Sequence, residues 1–178
     1  VTITGEMTIH PVSGKTVFTV MRGDTEKDMI TSKLWMMGPD GGDAVPLYDS
    51  DGQQASPRFS PDGNKLLWID TSTGSSQLNV ADWTGDGVDP STLMVSALEE
   101  GPSLMDWSPC GTMISYCAHV PAAPHPLEDV THQDGWASKP EIIDHFPYKL
   151  DGAGYLPRGA KQIFIWSLKD NQHKQITQ

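Results

Sequence analysis

Apolar residues in this chain come in short runs separated by polar turns, a spacing that predicts strands rather than helices. The clearest unit is residues 56–70, SPRFSPDGNKLLWID, in which a Ser-Pro-Asp-Gly turn precedes an almost wholly apolar run. Pro presets φ near −65°, Asp can bond to the backbone ahead of it, and Gly accepts a positive φ, so these residues suit a hairpin turn. Because Lys65 to Ile69 is too apolar for a strand with one wet face, it predicts a buried central strand.

This unit recurs along the chain. Residues 101–120 repeat it 48 positions later, with Trp107 in the place of Phe59, and a weaker copy, MTIHPVSGKTVFTV, precedes it by 50 positions. The repeat predicts hairpin turns at Pro61 to Asn64, at Pro109 to Thr112 and at Pro11 to Lys15, the last with Ser-Gly instead of Asp-Gly.

Two further strands follow each hairpin. The predicted third strands are Lys33 to Met37, Gln77 to Ala81 and Gln162 to Trp166, and the predicted fourth strands are Ala44 to Tyr48, Leu93 to Leu98 and Lys174 to Thr177. Four short strands per repeat are typical of propeller blades. The sequence therefore predicts an all-β chain, a β-propeller fragment of about three four-stranded blades near residues 1–50, 51–100 and 101–178. The third unit carries an insertion at 119–161, and a connection this long in a compact repeat is typical of a functional loop.

Composition excludes some classes of function. The formal charge of −11, from 23 acidic and 12 basic residues, would repel a phosphate backbone, so we expect no nucleic-acid partner. The apolar runs fall far short of the roughly 20 residues that a bilayer requires, so we expect no membrane span. Cys110 and Cys117 should lie at different heights of one hairpin and stay free thiols, which favours a cytoplasmic location unless a signal peptide has been removed.

The segment KPEIIDHFPYKLDGAGYLPRGAKQIFIWSLKDNQHKQIT, like residues 56–70, resembles the N-terminal propeller region of the prolyl oligopeptidase family, in its acylaminoacyl-peptidase and dipeptidyl-peptidase-like branch. The positions that match are Tyr148, Lys149, Asp151, Gly152, Gly154, Tyr155 and Arg158. The resemblance implies a propeller, usually of seven blades, that covers an α/β-hydrolase domain and admits peptides rather than folded proteins to a catalytic serine. It thus implies two partners, that hydrolase domain and peptide substrates.

The chain itself carries no recognisable catalytic machinery. It has no Gly-x-Ser-x-Gly elbow; the nearest stretch, Gly101 to Met105, lacks the second glycine, which makes Ser103 structural. Whether the chain belongs to an enzyme stays open at this stage, although the resemblance implies a serine peptidase as the parent. A group of potential ligands in the insertion follows no zinc spacing: His119, His125, His132, Glu128, Asp129 and Asp134. Gly85 to Pro90 lacks the closing Glu of an EF-hand, so we expect no metal and no cofactor.

Six residues of the insertion form the candidate site. We expect them to line the propeller channel or to face the hydrolase domain: His145, Tyr148, Lys149, Asp151, Tyr155 and Arg158. The alternative is a turn or bulge that packs Tyr148 and Tyr155 into the blade. The six tryptophans are interpreted as core between blades rather than as a substrate platform.

Two functions remain open, and one association follows from the fold. The chain is the non-catalytic propeller portion of a peptidase, gating peptide access to the hydrolase domain, or it is a stand-alone Tol-Pal-like propeller that acts as a protein-interaction module. The stretch from Tyr148 to Tyr155 favours the first. Three blades leave two blade faces open, and two copies could close a six-bladed ring, so we predict a homodimer of half-propellers.

Overall fold

The computed structural model describes residues 2–26, 28–99, 101–123, 135, 143–151 and 154–178. Strands dominate this part of the chain: β1(Thr2–Ile9), β2(Thr16–Asp24), β3(Met29–Met37), β4(Val45–Pro46), β5(Gln54–Phe59), β6(Lys65–Asp70), β7(Gln77–Asp82), β8(Met94–Val95), β9(Ser103–Trp107), β10(Met113–Pro121), β11(Lys149–Leu150), β12(Gly154–Tyr155), β13(Gly159–Ser167) and β14(Gln172–Gln175). A short 3-10 helix, Pro90–Thr92, precedes β8. The strands form three antiparallel four-stranded sheets, β1-β2-β3-β4, β5-β6-β7-β8 and β9-β10-β13-β14, and β11 pairs with β12. The predicted all-β propeller class is confirmed; we call the three sheets blades one, two and three.

The predicted hairpin turns are confirmed. In blade two, Ser60 N donates to Lys65 O at 2.9 Å, and Gly63 N donates to Ser60 O at 2.9 Å with φ of 74° at Gly63. Blade three repeats this geometry at Ser108 to Met113. The first turn has the same length, but its bond runs from Gly14 N to His10 O at 3.0 Å, because its glycine stands one position later.

The core lies between the blades, because side chains alternate between the two faces of each central strand. One cluster joins blades one and two: Val17, Leu34 and Met36 pack with Phe59, Leu66, Trp68, Ala81 and Val88. The other joins blades two and three: Leu67, Leu78 and Val80 pack with Met105, Trp107, Ile114, Tyr116, Ala118 and Trp166. The central strand β6 is therefore covered on both faces, as its apolar sequence predicts.

One aromatic position of the central strand shows which faces stay open. Trp68 and Tyr116 are 0 % and 1 % exposed because the preceding blade covers them. Phe18 holds the same place in blade one and is only partly buried, beside Trp35 on the same face. On blade three, Ile163 is 45 % exposed on the face that points away from blade two. Blade one and blade three each present an apolar face that no other described blade covers.

The tryptophans largely confirm their interpretation as core. Trp68, Trp107 and Trp166 are buried, and Trp35 and Trp83 are partly buried. Trp136 lies outside the described residues.

The antiparallel strands give the blades two distinct ends. The turns after the first and third strands share one end, which we name the turn end; there Lys15 Nζ reaches Asp86 of the neighbouring blade at 2.6 Å. The connections after the second strands and the links between blades share the other, which we name the link end; there Lys33 Nζ bonds to Gly52 O at 2.8 Å. The first strands of the blades lie innermost, side by side, joined by bonds such as Arg58 Nη2 to Glu6 Oε2 at 2.9 Å.

None of the described residues forms a helix long and apolar enough to span a bilayer. Cys110 and Cys117 are both free thiols, as predicted, the first exposed and the second partly buried.

Candidate functional site

The six predicted site residues all lie in the connection between β10 and β13, at the link end of blade three. The base of this connection is held by an ion pair that closes it: Arg158 Nε and Nη2 donate to the two carboxylate oxygens of Asp144 at 3.0 and 2.6 Å. His145 Nδ1 lies 3.2 Å from Asp144 Oδ1. The hydrogen bonds from Arg158, followed by that from His145, lower the pKa of Asp144. The carboxylate is therefore charged at neutral pH and maintains this ion pair between Asp144 and Arg158, which we name the clamp.

The clamp is also tied to the blade itself. Arg158 O lies 3.1 Å from His119 Nε2 and accepts a bond from Ala122 N at 3.1 Å. Gly159, which follows with φ of 132°, leaves no room for a Cβ next to Val120 O. The connection thus leaves and re-enters the sheet at a fixed point.

Beyond the clamp, the chain forms a small hairpin, which we name the aromatic hairpin: residues 146–151 with 154 and 155. Lys149 pairs with Tyr155 and Leu150 with Gly154. The rings of Tyr148 and Tyr155 stack with centroids 6.3 Å apart, and Lys149 Nζ lies 5.3 Å from the Tyr155 centroid. A cation at this distance from a tyrosine face is attracted to it. These contacts order the side chains on the surface of the hairpin.

The aromatic hairpin is not packed into a blade. Tyr148 and Tyr155 are 40 % and 52 % exposed, and Phe146 beside them is 91 % exposed. Phe146 and Tyr148, together with Lys149, Leu150 and Asp151, line an open cleft of about 770 Å³. A turn does form here, but the two tyrosine rings cover each other rather than filling the core of blade three, which was the alternative considered from the sequence.

A second cleft of about 540 Å³ separates the clamp from the edge of blade three. Asp144, His145 and Arg158 line one side, and Gln162 and Gln175 line the other. His145 Nε2 is buried and has no hydrogen-bond partner among the residues that the structure describes. Sequence reasoning had identified His145 and Arg158 but missed Asp144, which carries no motif of its own and is revealed only by its pairing with Arg158.

Five of the six potential metal ligands lie outside the described residues: His125, Glu128, Asp129, His132 and Asp134. The residues that are described contain no group of three candidate ligands. Asp89 caps the 3-10 helix by accepting a bond from Ser91 N at 2.9 Å, so this part of the acidic stretch 85–90 serves a turn.

Ser103 lies on strand β9, where its hydroxyl is 3.4 Å from Cys117 O. A serine nucleophile of the hydrolase type needs a strand-to-helix turn instead. Ser103 therefore lacks the local structure of such a nucleophile.

Comparison with known proteins relates the chain to peptidases. No family model matches it. Over 156 residues it is 30 % identical to an uncharacterized peptidase, YuxL, of Bacillus subtilis (strain 168), and the alignment covers 85 % of this chain and 22 % of YuxL.

Solved structures agree on the fold. Acylaminoacyl peptidase of Pyrococcus horikoshii superposes with a TM-score of 0.72 at 12 % identity, covering 100 % of this chain and 25 % of that one. The AtxE2 isopeptidase superposes with a TM-score of 0.58 at 16 % identity, covering 96 % and 28 %. The chain spans about a quarter of the length of these proteins, and the resemblance to peptidase propellers drawn from the sequence is confirmed.

Proposed function

We propose that this chain is the non-catalytic propeller portion of a serine peptidase. In this role it gates peptide access to an α/β-hydrolase domain elsewhere in the parent polypeptide. The proposal starts from a chain that is a propeller region of the kind found in peptidases and spans about a quarter of such proteins. The observation that carries this proposal is the 30 % identity to a peptidase over 156 residues. The sequence supports the assignment of catalysis to another domain, since this chain contains no Gly-x-Ser-x-Gly elbow.

A serine-directed fluorophosphonate probe tests the catalytic half of the proposal. The parent protein should be labelled once per chain, at a serine outside residues 1–178, and labelling should be lost when that serine is replaced by alanine. This chain alone should stay unlabelled. Labelling of a serine within it, or a parent that ends in further blades without a hydrolase domain, would contradict the proposal and favour the stand-alone interaction propeller.

Gating is supported by the arrangement of the innermost strands, which in a closed ring would surround a central channel. Leu104 lies on one of these strands and is 79 % exposed. In the parent, Leu104→Trp should lower kcat/KM for long peptides while leaving a short acyl-amino-acid reporter unaffected. Val12→Trp is the matched control, because Val12 is 81 % exposed but lies in a turn at the turn end. Equal effects of the two variants on long peptides would refute gating through this channel.

The two open blade faces also need a partner. In the parent, we propose further blades; for the chain on its own, we propose a second copy, so that blade three of each copy meets blade one of the other. The support is the repeat itself, since the positions that are buried at Trp68 and Tyr116 are incompletely covered at Phe18. Sedimentation equilibrium at micromolar concentration should show a dimer, and a folded species that stays at 19.4 kDa would exclude it.

A cytoplasmic location is kept as part of the proposal. It is supported by two free thiols, one of them exposed, which an oxidising compartment would tend to modify. Fractionation of the source cells, with detection of the parent by antibody, would test it; recovery outside the cytoplasm would refute it.

A further inference from the structure

The aromatic hairpin exposes apolar side chains that the rest of the described chain does not cover. Phe146 is 91 % exposed, Tyr155 52 %, Leu150 49 % and Tyr148 40 %. With side chains of this size, the exposed apolar surface is on the order of 400 Å². A contiguous patch of that extent on a small protein is typical of a binding surface.

The strands of the hairpin have two residues each, and among the described residues they pair only with one another. An isolated two-stranded hairpin is marginal in water, so one with this composition gains stability when another surface covers it. The clamp between Asp144 and Arg158 fixes its base, which limits the ordering cost of docking.

The chemistry of the patch fits a protein surface. Aromatic side chains stand in its centre, with the charged groups of Lys149 and Asp151 beside them, as in the centre and rim of protein interfaces. The cleft of about 770 Å³ that they line is open to one side, whereas a small-molecule pocket encloses most of its ligand. A folded domain with a complementary ridge is the better match.

We propose that the aromatic hairpin docks on the α/β-hydrolase domain of the same parent polypeptide, an inference that rests on the proposed function. Most of the parent is not this chain, since the relatives are about four times as long. Blades cover one another through their faces, so a further domain must approach from one of the two ends. The link end carries the hairpin, and Met29 and Ile30 are also exposed there, at 52 % and 69 %.

Photo-cross-linking in the full-length parent tests the docking directly. Benzoylphenylalanine is introduced at position 146 and, as a matched control, at position 12, where an apolar side chain that is 81 % exposed lies at the turn end. After irradiation, cross-linked peptides are identified by mass spectrometry, and the same samples are treated with the fluorophosphonate probe. We expect cross-links from position 146 to peptides of the hydrolase domain and none from position 12.

The two readouts separate this inference from the proposed function. Serine labelling without cross-links from position 146 to the hydrolase domain, including cross-links only to a second copy or to the propeller itself, overturns the docking and leaves the function standing. A parent that has no hydrolase domain or no labelled serine overturns the function, and the docking with it. Cross-links to the hydrolase domain from both positions would also overturn the assignment of the docking surface to the link end.

Discussion

Replacement of His10 by serine should destabilise the contact between blades one and two. His10 occupies the position that serine holds in the other two turns, Ser60 and Ser108. Its Nδ1 accepts a bond from Ser13 N at 2.9 Å, which leaves Nε2 to donate to Gly63 O of blade two at 3.0 Å. One side chain therefore closes its own turn and holds the next turn.

The magnitude follows from the contacts that serine cannot make. The hydroxyl can replace Nδ1 as the acceptor in the turn, but it cannot reach Gly63 O, and a net hydrogen bond is worth about 1 kcal/mol. The imidazole also meets Phe59 edge-to-face, with centroids 4.9 Å apart, and such a pair contributes about 0.5–1.5 kcal/mol. With the loss of ring burial, we expect His10→Ser to lower the free energy of unfolding by about 2–3 kcal/mol.

A double-mutant cycle makes the reasoning refutable. A Cβ at Gly63 would lie 2.6 Å from His10 Nε2, in addition to the strain of φ at 74°. Gly63→Ala should therefore cost less when His10 is already serine, with a coupling of about 1–2 kcal/mol. Urea unfolding with unchanged m-values measures all three variants, and Val12→Ser, at an exposed position of the same turn, should shift stability by no more than about 0.5 kcal/mol. Additive effects, or a His10→Ser variant as stable as the control, would show that the bond between the turns does not stabilise the blades.

Three other positions give further predictions. Hydrogen bonds from Ser108 and then Thr112 lower the pKa of Cys110 to about 7, so its iodoacetamide alkylation should reach half its maximal rate near neutral pH, and Ser108→Ala should move that midpoint upward. Burial lowers the pKa of His173, which lies 2.9 Å from the Tyr116 hydroxyl; because the unfolded chain then binds the proton more readily, stability should fall as the pH drops below 6.5, and less so in His173→Gln, as urea midpoints at pH 7.5 and 5.5 would show. A Cβ at Gly52 would overlap Ser72 N and lie 2.5 Å from Asp70 Oδ1, so Gly52→Ala should cost about 1–3 kcal/mol by thermal or urea unfolding, and a wild-type midpoint would contradict this.

The hairpins could be predicted because their signals are local. The turn residues around Pro61 and the apolar run after them fix both the chain reversal and the burial of β6 without reference to distant parts of the chain. Strand lengths were harder to predict. β2 and β3 continue as a paired hairpin through Asp24 and Met29, beyond their buried residues, because backbone pairing needs no buried side chains once the register has been set.

Features that depend on a neighbouring blade could not be predicted. The innermost strands of blades two and three bulge at Ser56 and Leu104, which adopt φ of 56° and 51° although neither is glycine. No local signal marks such residues, because the surrounding sheet imposes the bulge. The two positions are 48 residues apart, the same spacing as the turns, so the bulge belongs to the repeat. Knowing the structure of one blade would therefore be enough to predict the bulge in the next.

The residues of the candidate site are not those that form the core of the blades, so the site can be changed without unfolding the propeller. The exposed rings of the aromatic hairpin belong to neither cluster of buried core residues, and its base is held to blade three through Arg158. Changes at Phe146 or Tyr155 should therefore leave the unfolding of the blades nearly unaffected, whereas changes at His10 or Gly52 act on the blades and not on the hairpin. A loss of function at the hairpin can thus be attributed to a lost contact with another domain, since the propeller that presents it would still be folded.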